Sequence, residues 1–146
     1  EPMTKRGRGK LVGIASVSGI RGLPGSEAYG ASKSAVITYN ESLRVGLRKT
    51  GIKVQTISPG FVRTPLTSAN PYKMPFVLTP DEFAERAVKT IDSDASYRTI
   101  PWQMGLLAKA MRIAPNCLWD KIVANRKQKP RLADKQKAEA KAAQRK

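Results

Sequence analysis

The sequence predicts an α/β fold: about three parallel strands with flanking helices, amounting to half of a doubly wound sheet. Three observations point there. Two short apolar runs, KLVGIAS (residues 10–16) and IKVQTIS (52–58), read as strands buried on both faces, as in parallel sheets. The stretch between them changes to a helical period. Beyond the second run comes a helix with a complete N-terminal punctuation mark.

The elements follow in order. KLVGIAS is the first strand, with Gly and Ser after it. From Tyr29 onward Val36, Leu43 and Leu47 recur at roughly helical spacing, with Tyr39 and Asn40 alongside. That helix is expected to run to KTG, with Lys49 in its last turn and Gly51 as the left-handed residue just past it. IKVQTIS is the second strand, stopped by Pro59-Gly60. The connection is long enough for a parallel crossover, and such crossovers are right-handed. TPDEFAERAVKTI is a helix with Thr79 at its N-cap, Pro80 at the first helical position and Glu82 completing a capping box. Phe83, Ala87, Val88 and Ile91 form its expected apolar stripe. YRTIP (97–101) is the third strand, and one or two more helices follow, QMGLLAKAMRI and NCLWDKIVANRK, split at Pro115.

Composition narrows the chemistry. The 146 residues fit one ordinary domain, read as 1–125, followed by a basic tail over 126–146. There is no histidine, so the sequence carries neither a Ser-His-Asp arrangement nor an HExxH zinc site. Cys117 is the only cysteine, which rules out an internal disulfide or a cysteine metal cluster; in the apolar context APNCLWD it is expected to be a small buried hydrophobe. The formal charge is +16, and the tail contributes nine basic and two acidic residues to it. Rich in Lys, Ala and Gln, the tail cannot bury enough surface to offset its ordering entropy and is expected to be solvated. It carries no aromatic side chains for stacking bases, which argues against nucleic acid as its partner. No run is long and apolar enough to span a bilayer and no signal-peptide pattern occurs, so a cytoplasmic protein is the simplest expectation. The stretch WQMGLLAKAMRI, with Trp102, Leu106, Leu107 and Met111 bordered by Lys109 and Arg112, could lie on a membrane surface. The simpler expectation is that it packs over the 66–78 loop or a partner subunit.

One constellation carries chemistry. Ser16 stands at the carboxyl end of the first strand, where open α/β sheets bind their ligands. Tyr29 follows thirteen residues later and Lys33 four after that, so these two share one helix face. A free tyrosine, with a pKa of about 10, is a poor acid or base near neutrality. Lowering it by about three units takes about 4 kcal/mol of preference for the phenolate. An ammonium about 4 Å away, at an effective dielectric of about 20, supplies that much. A serine hydroxyl beside them can orient a carbonyl or alcohol oxygen. The trio suits moving a proton onto or off oxygen; a hydride would need a cofactor.

The stretches GKLVGIASVSG, YGASKSAV and ISPGFVRTPL resemble the short-chain dehydrogenases/reductases closely, and the likeness continues more loosely to about Pro130. The resemblance implies a Rossmann fold and an NAD- or NADP-dependent oxidoreductase interconverting an alcohol and a ketone or aldehyde. It implies Ser16, Tyr29 and Lys33 as the catalytic serine, tyrosine and lysine, with Ser18 a second candidate serine, and Tyr29 and Lys33 also touching cofactor through the nicotinamide ribose. Pro59 and Gly60 match residues lining the nicotinamide, Val62 a backbone contact to its carboxamide, and Thr64 a contact to carboxamide or diphosphate. It further implies a small-molecule alcohol or carbonyl substrate and a homo-oligomer. No GxGxxG or GxxxxGK occurs, so the sequence is similar to the carboxyl-terminal half of such an enzyme and does not distinguish NAD from NADP. It opens on Glu1 with no start signal of its own, and a longer parent is expected, the piece alone being inactive. The competing expectation is a non-catalytic remnant associating with acidic surfaces through its tail. In the 66–78 loop, Tyr72, Met74 and Phe76 point weakly to an apolar substrate.

Overall fold

The structure, a computed structural model, describes residues 2–68, 70 and 73–124; the tail expected over 126–146 and Tyr72 of the loop lie outside the described residues. A short helix α1 (Pro2–Arg6) leads into β1 (Gly9–Ile14), then a 3-10 turn (Val17–Gly19) and the long helix α2 (Glu27–Gly46). Next come β2 (Ile52–Pro59), α3 (Pro65–Ser68), α4 (Pro80–Asp92), β3 (Tyr97–Ile100), α5 (Trp102–Ile113) and α6 (Asn116–Val123). The three strands form one parallel sheet in the order β1-β2-β3.

The central strand β2 is covered on both faces, which is why its sequence does not alternate. Thr56 points to α2, where Asn40 donates a hydrogen bond to its hydroxyl at 3.1 Å. Gln55 and Ile57 point to the other face. There Ile57 packs with Leu78 and Ile100, flanked by Val12, Phe83, Ala87 and Ile91. The Gln55 amide donates to the carbonyls of Thr90 at 3.2 Å and Ser93 at 2.7 Å. The Lys10 ammonium donates to the carbonyls of Ile91 and Ser93. Two polar side chains thus take up the last carbonyls of α4, the negative end of its dipole, and fix that end to the sheet.

The punctuation of α4 forms as expected. Thr79 accepts from the Glu82 amide, and Glu82 reaches back to the Thr79 amide at 2.8 Å. The backbone and hydroxyl of Thr79 hold the Glu82 carboxyl below the usual range. Its folded pKa is depressed, so the contribution of this cap is present at neutral pH and is lost as pH falls through the folded value.

Four expectations are corrected. β1, expected to be buried on both faces, is an edge strand among the described residues, with Leu11 and Ile14 exposed and none of its six positions buried, because only β2 has a strand on each side. Helix α2 ends at Gly46 rather than at Lys49; Leu47 still donates to the Leu43 carbonyl, and a turn closed by Thr50 onto Leu47 follows. Gly51 does take a left-handed φ of 71°, but its role is to swing the chain into β2, where an added Cβ would lie 2.1 Å from the Gly7 carbonyl oxygen. Val88 is exposed rather than part of the α4 stripe, and Thr90 is buried instead, its hydroxyl bonded to the Arg86 carbonyl at 2.8 Å. The inward positions run 83, 87, 90 and 91, and position 88 lies about 100° round the helix from 87. Cys117 is exposed, because the inward positions of α6 are Trp119 and Val123.

Helix α2 sits close to β1. A Cβ on Gly13 would lie 1.8 Å from the Asn40 amide nitrogen, so this strand position admits only hydrogen. Gly13→Val is expected to lower unfolding free energy by about 2–3 kcal/mol through overpacking. Combining it with Asn40→Ala, measured by urea denaturation, should recover part of that loss. Additive losses would mean that the two residues do not share this contact.

Candidate active site

The turn after β1 holds the predicted serine. Ser16 is buried and extended in backbone, and its Oγ accepts the Ser18 amide at 3.2 Å, capping the 3-10 turn. Used in this way as an acceptor, the hydroxyl keeps its own proton for an oxygen nearby. Ser18, half-buried, lies within the turn and lines a cleft of about 850 Å³.

Tyr29 and Lys33 come one turn apart at the start of α2, and the structure brings them together. The Lys33 ammonium lies 5.8 Å from the centroid of the Tyr29 ring and donates to the Ile14 carbonyl at 3.1 Å. Ile14 is the last residue of β1, two before Ser16. The lysine is therefore tethered to the strand end that carries the serine, while Tyr29 stays about half exposed, open to a partner molecule.

Two glycines that the sequence reading passed over make this juxtaposition possible. A Cβ on Gly19 would lie 2.7 Å from the Lys33 carbonyl carbon and the Ser34 nitrogen. A Cβ on Gly30 would lie 3.1 Å from the Ser18 carbonyl oxygen. The serine turn rests directly on the backbone of α2, at the residue that supplies the ammonium. Glycine in SVSG and in YGAS was the available signal, but its contact partner lies on the other element.

The second predicted group leaves the neighbouring strand at the same end of the sheet. Pro59 closes β2, and the Gly60 amide donates to the Ile100 carbonyl at 2.8 Å. A Cβ on Gly60 would lie 2.7 Å from the Met104 Cγ, so the Met104 side chain of α5 packs closely against this turn. Val62 forms an isolated bridge with Leu78: Arg63 donates to the Leu78 carbonyl at 2.8 Å and Leu78 to the Phe61 carbonyl at 3.0 Å. This pairing uses the groups either side of Val62 and turns the Val62 amide the other way. The Thr67 hydroxyl donates to the Val62 carbonyl at 2.7 Å and accepts the Thr64 amide at 2.9 Å, and the Thr64 hydroxyl lies 3.2 Å from it. The loop between residues 63 and 77 is thus pinned at both ends. Met74 within it is half-buried and Phe76 exposed.

A further set of residues, with no signal in the sequence, fastens the serine turn from the outside. The Arg21 guanidinium donates to the Met111 carbonyl at 2.8 Å, to the Ala114 carbonyl and to Asn116 Oδ1 at 2.8 Å, and it lies 5.1 Å from the Trp119 ring centroid. The Trp119 indole donates to the Gly22 carbonyl at 3.1 Å, and Arg112 donates to the Ile20 carbonyl at 3.3 Å. These partners stand about 90 positions apart in the chain, beyond the reach of any local pattern. Helices α5 and α6 thereby become the outer wall of the cleft that Ser18 lines.

Comparison with known proteins bears on the fold and the family. An uncharacterized oxidoreductase of Myxococcus xanthus (strain DK1622) is 42% identical over 118 residues, covering 81% of this chain and 47% of that protein. A short chain dehydrogenase from Burkholderia cenocepacia J2315, solved in complex with NADP, shares the fold with a TM-score of 0.68 at 19% identity, over 84% of this chain and 50% of that one. A short-chain dehydrogenase from Sphingobium yanoikuyae, solved with NADPH, has a TM-score of 0.63 at 23% identity, over 89% and 50%. The chain thus spans about half the length of these relatives. The family model for short chain dehydrogenases matches residues 1–74, from α1 through the serine turn, the Tyr29–Lys33 helix and the Pro-Gly turn, and the chain belongs to that family.

Proposed function

We propose that these residues supply the proton-transfer part of an NAD(P)(H)-dependent oxidoreductase that interconverts an alcohol and a ketone or aldehyde. The observation that carries the reading is the tether of Lys33 to the end of β1, which places its ammonium over the Tyr29 ring beside the Ser16 turn. In the reducing direction Tyr29 gives its phenolic proton to the substrate carbonyl oxygen. The positive charge of Lys33, 5.8 Å from the ring centroid, favours the phenolate that this transfer leaves behind. The Ser16 hydroxyl donates to the same oxygen and holds it in place.

A nicotinamide, when bound, supplies or accepts the hydride that these side chains lack. The residues present fit its reactive end. Lys33 spends one of three N–H donors on Ile14 and keeps others for sugar hydroxyls. The Val62 amide, turned away from the Leu78 bridge, can meet a carboxamide, with Pro59, Gly60 and Thr64 beside it. The pinned loop from 63 to 77 supports a wall over a small-molecule substrate. The exposed outer side of α2, with Tyr39 and Val45, suits packing against a second copy.

Built into a full-length enzyme of this family, Tyr29→Phe should cut carbonyl reduction by about 10²–10⁴-fold while leaving the fold intact, as measured by nucleotide oxidation and circular dichroism. Near-parental turnover would sink the assignment. Lys33→Met should lower turnover and weaken nucleotide binding together. Ser16→Ala should cost more turnover than Ser18→Ala, and the reverse order would move the role to Ser18.

A second expectation concerns the 146 residues alone. They contain no glycine-rich diphosphate loop. Titration of NADH or NADPH, followed by fluorescence or calorimetry, should show no saturable binding at micromolar levels. Saturation would mean that these residues carry a complete cofactor site.

A further inference from the structure

Helices α5 and α6 face the serine turn on one side only. Met104 and Ala108 of α5 turn inward, as do Trp119 and Val123 of α6. The outward side of α5 is apolar. Trp102, Leu106 and Ile113 stand on one stripe at helical spacing and are 65%, 58% and 82% exposed. Leu107 of α5 and Leu118 and Ile122 of α6 are exposed as well. Between the two helices runs a groove of about 600 Å³ lined entirely by apolar and aromatic side chains, Leu107, Met111, Leu118 and Ile122 among them. Exposed apolar side chains in this number, on a stripe and in a groove of one hairpin, mark an interaction surface.

The remaining sequence limits what can cover it. Residues 126–146 hold one large apolar side chain, Leu132, and cannot fill the groove. They do carry nine basic and two acidic residues, and they begin three positions after α6 ends. On α5 itself Lys109 lies within the apolar stripe, where its stem can lie along the face and its ammonium reach out. Lys121 of α6 adds a second ammonium to the hairpin, while Arg112 is engaged with the Ile20 carbonyl on the inner side. The hairpin therefore combines an apolar face, a tryptophan at one end and an adjoining polybasic segment. Stable attachment to an acidic bilayer takes both an apolar and an electrostatic contribution.

We propose that the outward face of α5–α6 docks on an anionic membrane surface, with Trp102, Leu106, Ile113 and Ile122 entering the headgroup boundary and the basic tail held at the acidic lipids. This orientation turns the opposite side of the hairpin, with Trp119, toward the serine turn. No helix among the described residues is long and apolar enough to cross the membrane, so the attachment is peripheral.

The test uses the 146-residue chain with sedimenting vesicles. One set mixes phosphatidylglycerol and phosphatidylcholine in equal parts, and the other is phosphatidylcholine alone. Binding is expected to the mixed vesicles only, and raising salt from low to molar concentration should weaken it at least about tenfold. Brominated lipid in the mixed vesicles should quench tryptophan emission; Trp119 is buried, so the quenched residue is Trp102. The double variant Leu106→Gln/Ile113→Gln replaces exposed side chains and should fold normally by circular dichroism. It should bind at least about tenfold more weakly. Deletion of residues 126–146 should also weaken binding to mixed vesicles. Four results would overturn the proposal. They are absence of binding to either vesicle, equal binding by the double variant with no tryptophan quenching, binding to an oligonucleotide in place of vesicles, and a concentration-dependent dimer abolished by Ile122→Gln without vesicle binding. The second would assign the contact to tail charge alone, the third to nucleic acid and the last to a second copy of this chain.

Discussion

The fold depends on how closely helix α2 approaches the first strand and the turn that follows it. Three glycines set that distance. Gly13 lies under the Asn40 side chain, and Gly19 and Gly30 let the serine turn and the helix meet backbone to backbone. Side chains at Gly19 or Gly30 would press on this backbone contact, the one that brings Lys33 within 3.1 Å of the Ile14 carbonyl. Asn40 adds direction to the proximity. Its buried bond to Thr56 on β2 ties the helix to the central strand, and a buried amide of this kind is costly to leave without a partner.

The proposed site residues leave the sheet where the parallel strands end. Ser16 follows β1, and Gly60 follows β2, which is the neighbour of β1 in the sheet. Parallel strands put both exits at the same end of the sheet, so residues far apart in sequence leave it side by side. The opposite ends of the strands serve stability instead. Lys10 and Gln55 gather the final carbonyls of α4, and Lys53 pairs with Asp94 beyond its end. The lysine ammonium keeps the Asp94 carboxyl below its usual range, but both groups are solvated and the pair adds little.

The serine turn is held on two sides by different means. Helix α2 supports it through glycine contacts, and the α5–α6 hairpin supports it through Arg21, Arg112 and Trp119. Arg21 is well placed for this. Its planar fork takes the carbonyls at the end of α5, where the helix dipole favours a cation, while its face lies near the Trp119 ring. Backbone carbonyls of the exposed loop, at Ile20 and Gly22, receive donors they would otherwise have to find in water. The same contacts orient the hairpin, turning its remaining apolar side chains away from the sheet.

Sequence alone determined the order and type of the three strands and of the long helices between and after them, because the signals behind them are local. The unbroken apolar run of a strand covered on both faces, the Thr79–Glu82 box and the Pro-Gly stop each lie within a few residues. The spacing of Tyr29 and Lys33 was legible for the same reason: four positions on a helix make neighbours whatever the rest of the chain does. Tertiary structure decided which apolar side chains went inside. Val88 lies beside an inward position of α4 and Cys117 on the far side of α6 from Trp119, and only the placement of each helix axis on its support turns them outward. It also decided that α2 gives way to a turn at Leu47, since Gly51 is needed to pass Gly7 on the way into β2. The clasp of Arg21 and the glycine contacts under the serine turn belong to the same class. Their partners come together only when α5, α6 and the sheet are assembled, and no pattern within either partner's own segment encodes the meeting.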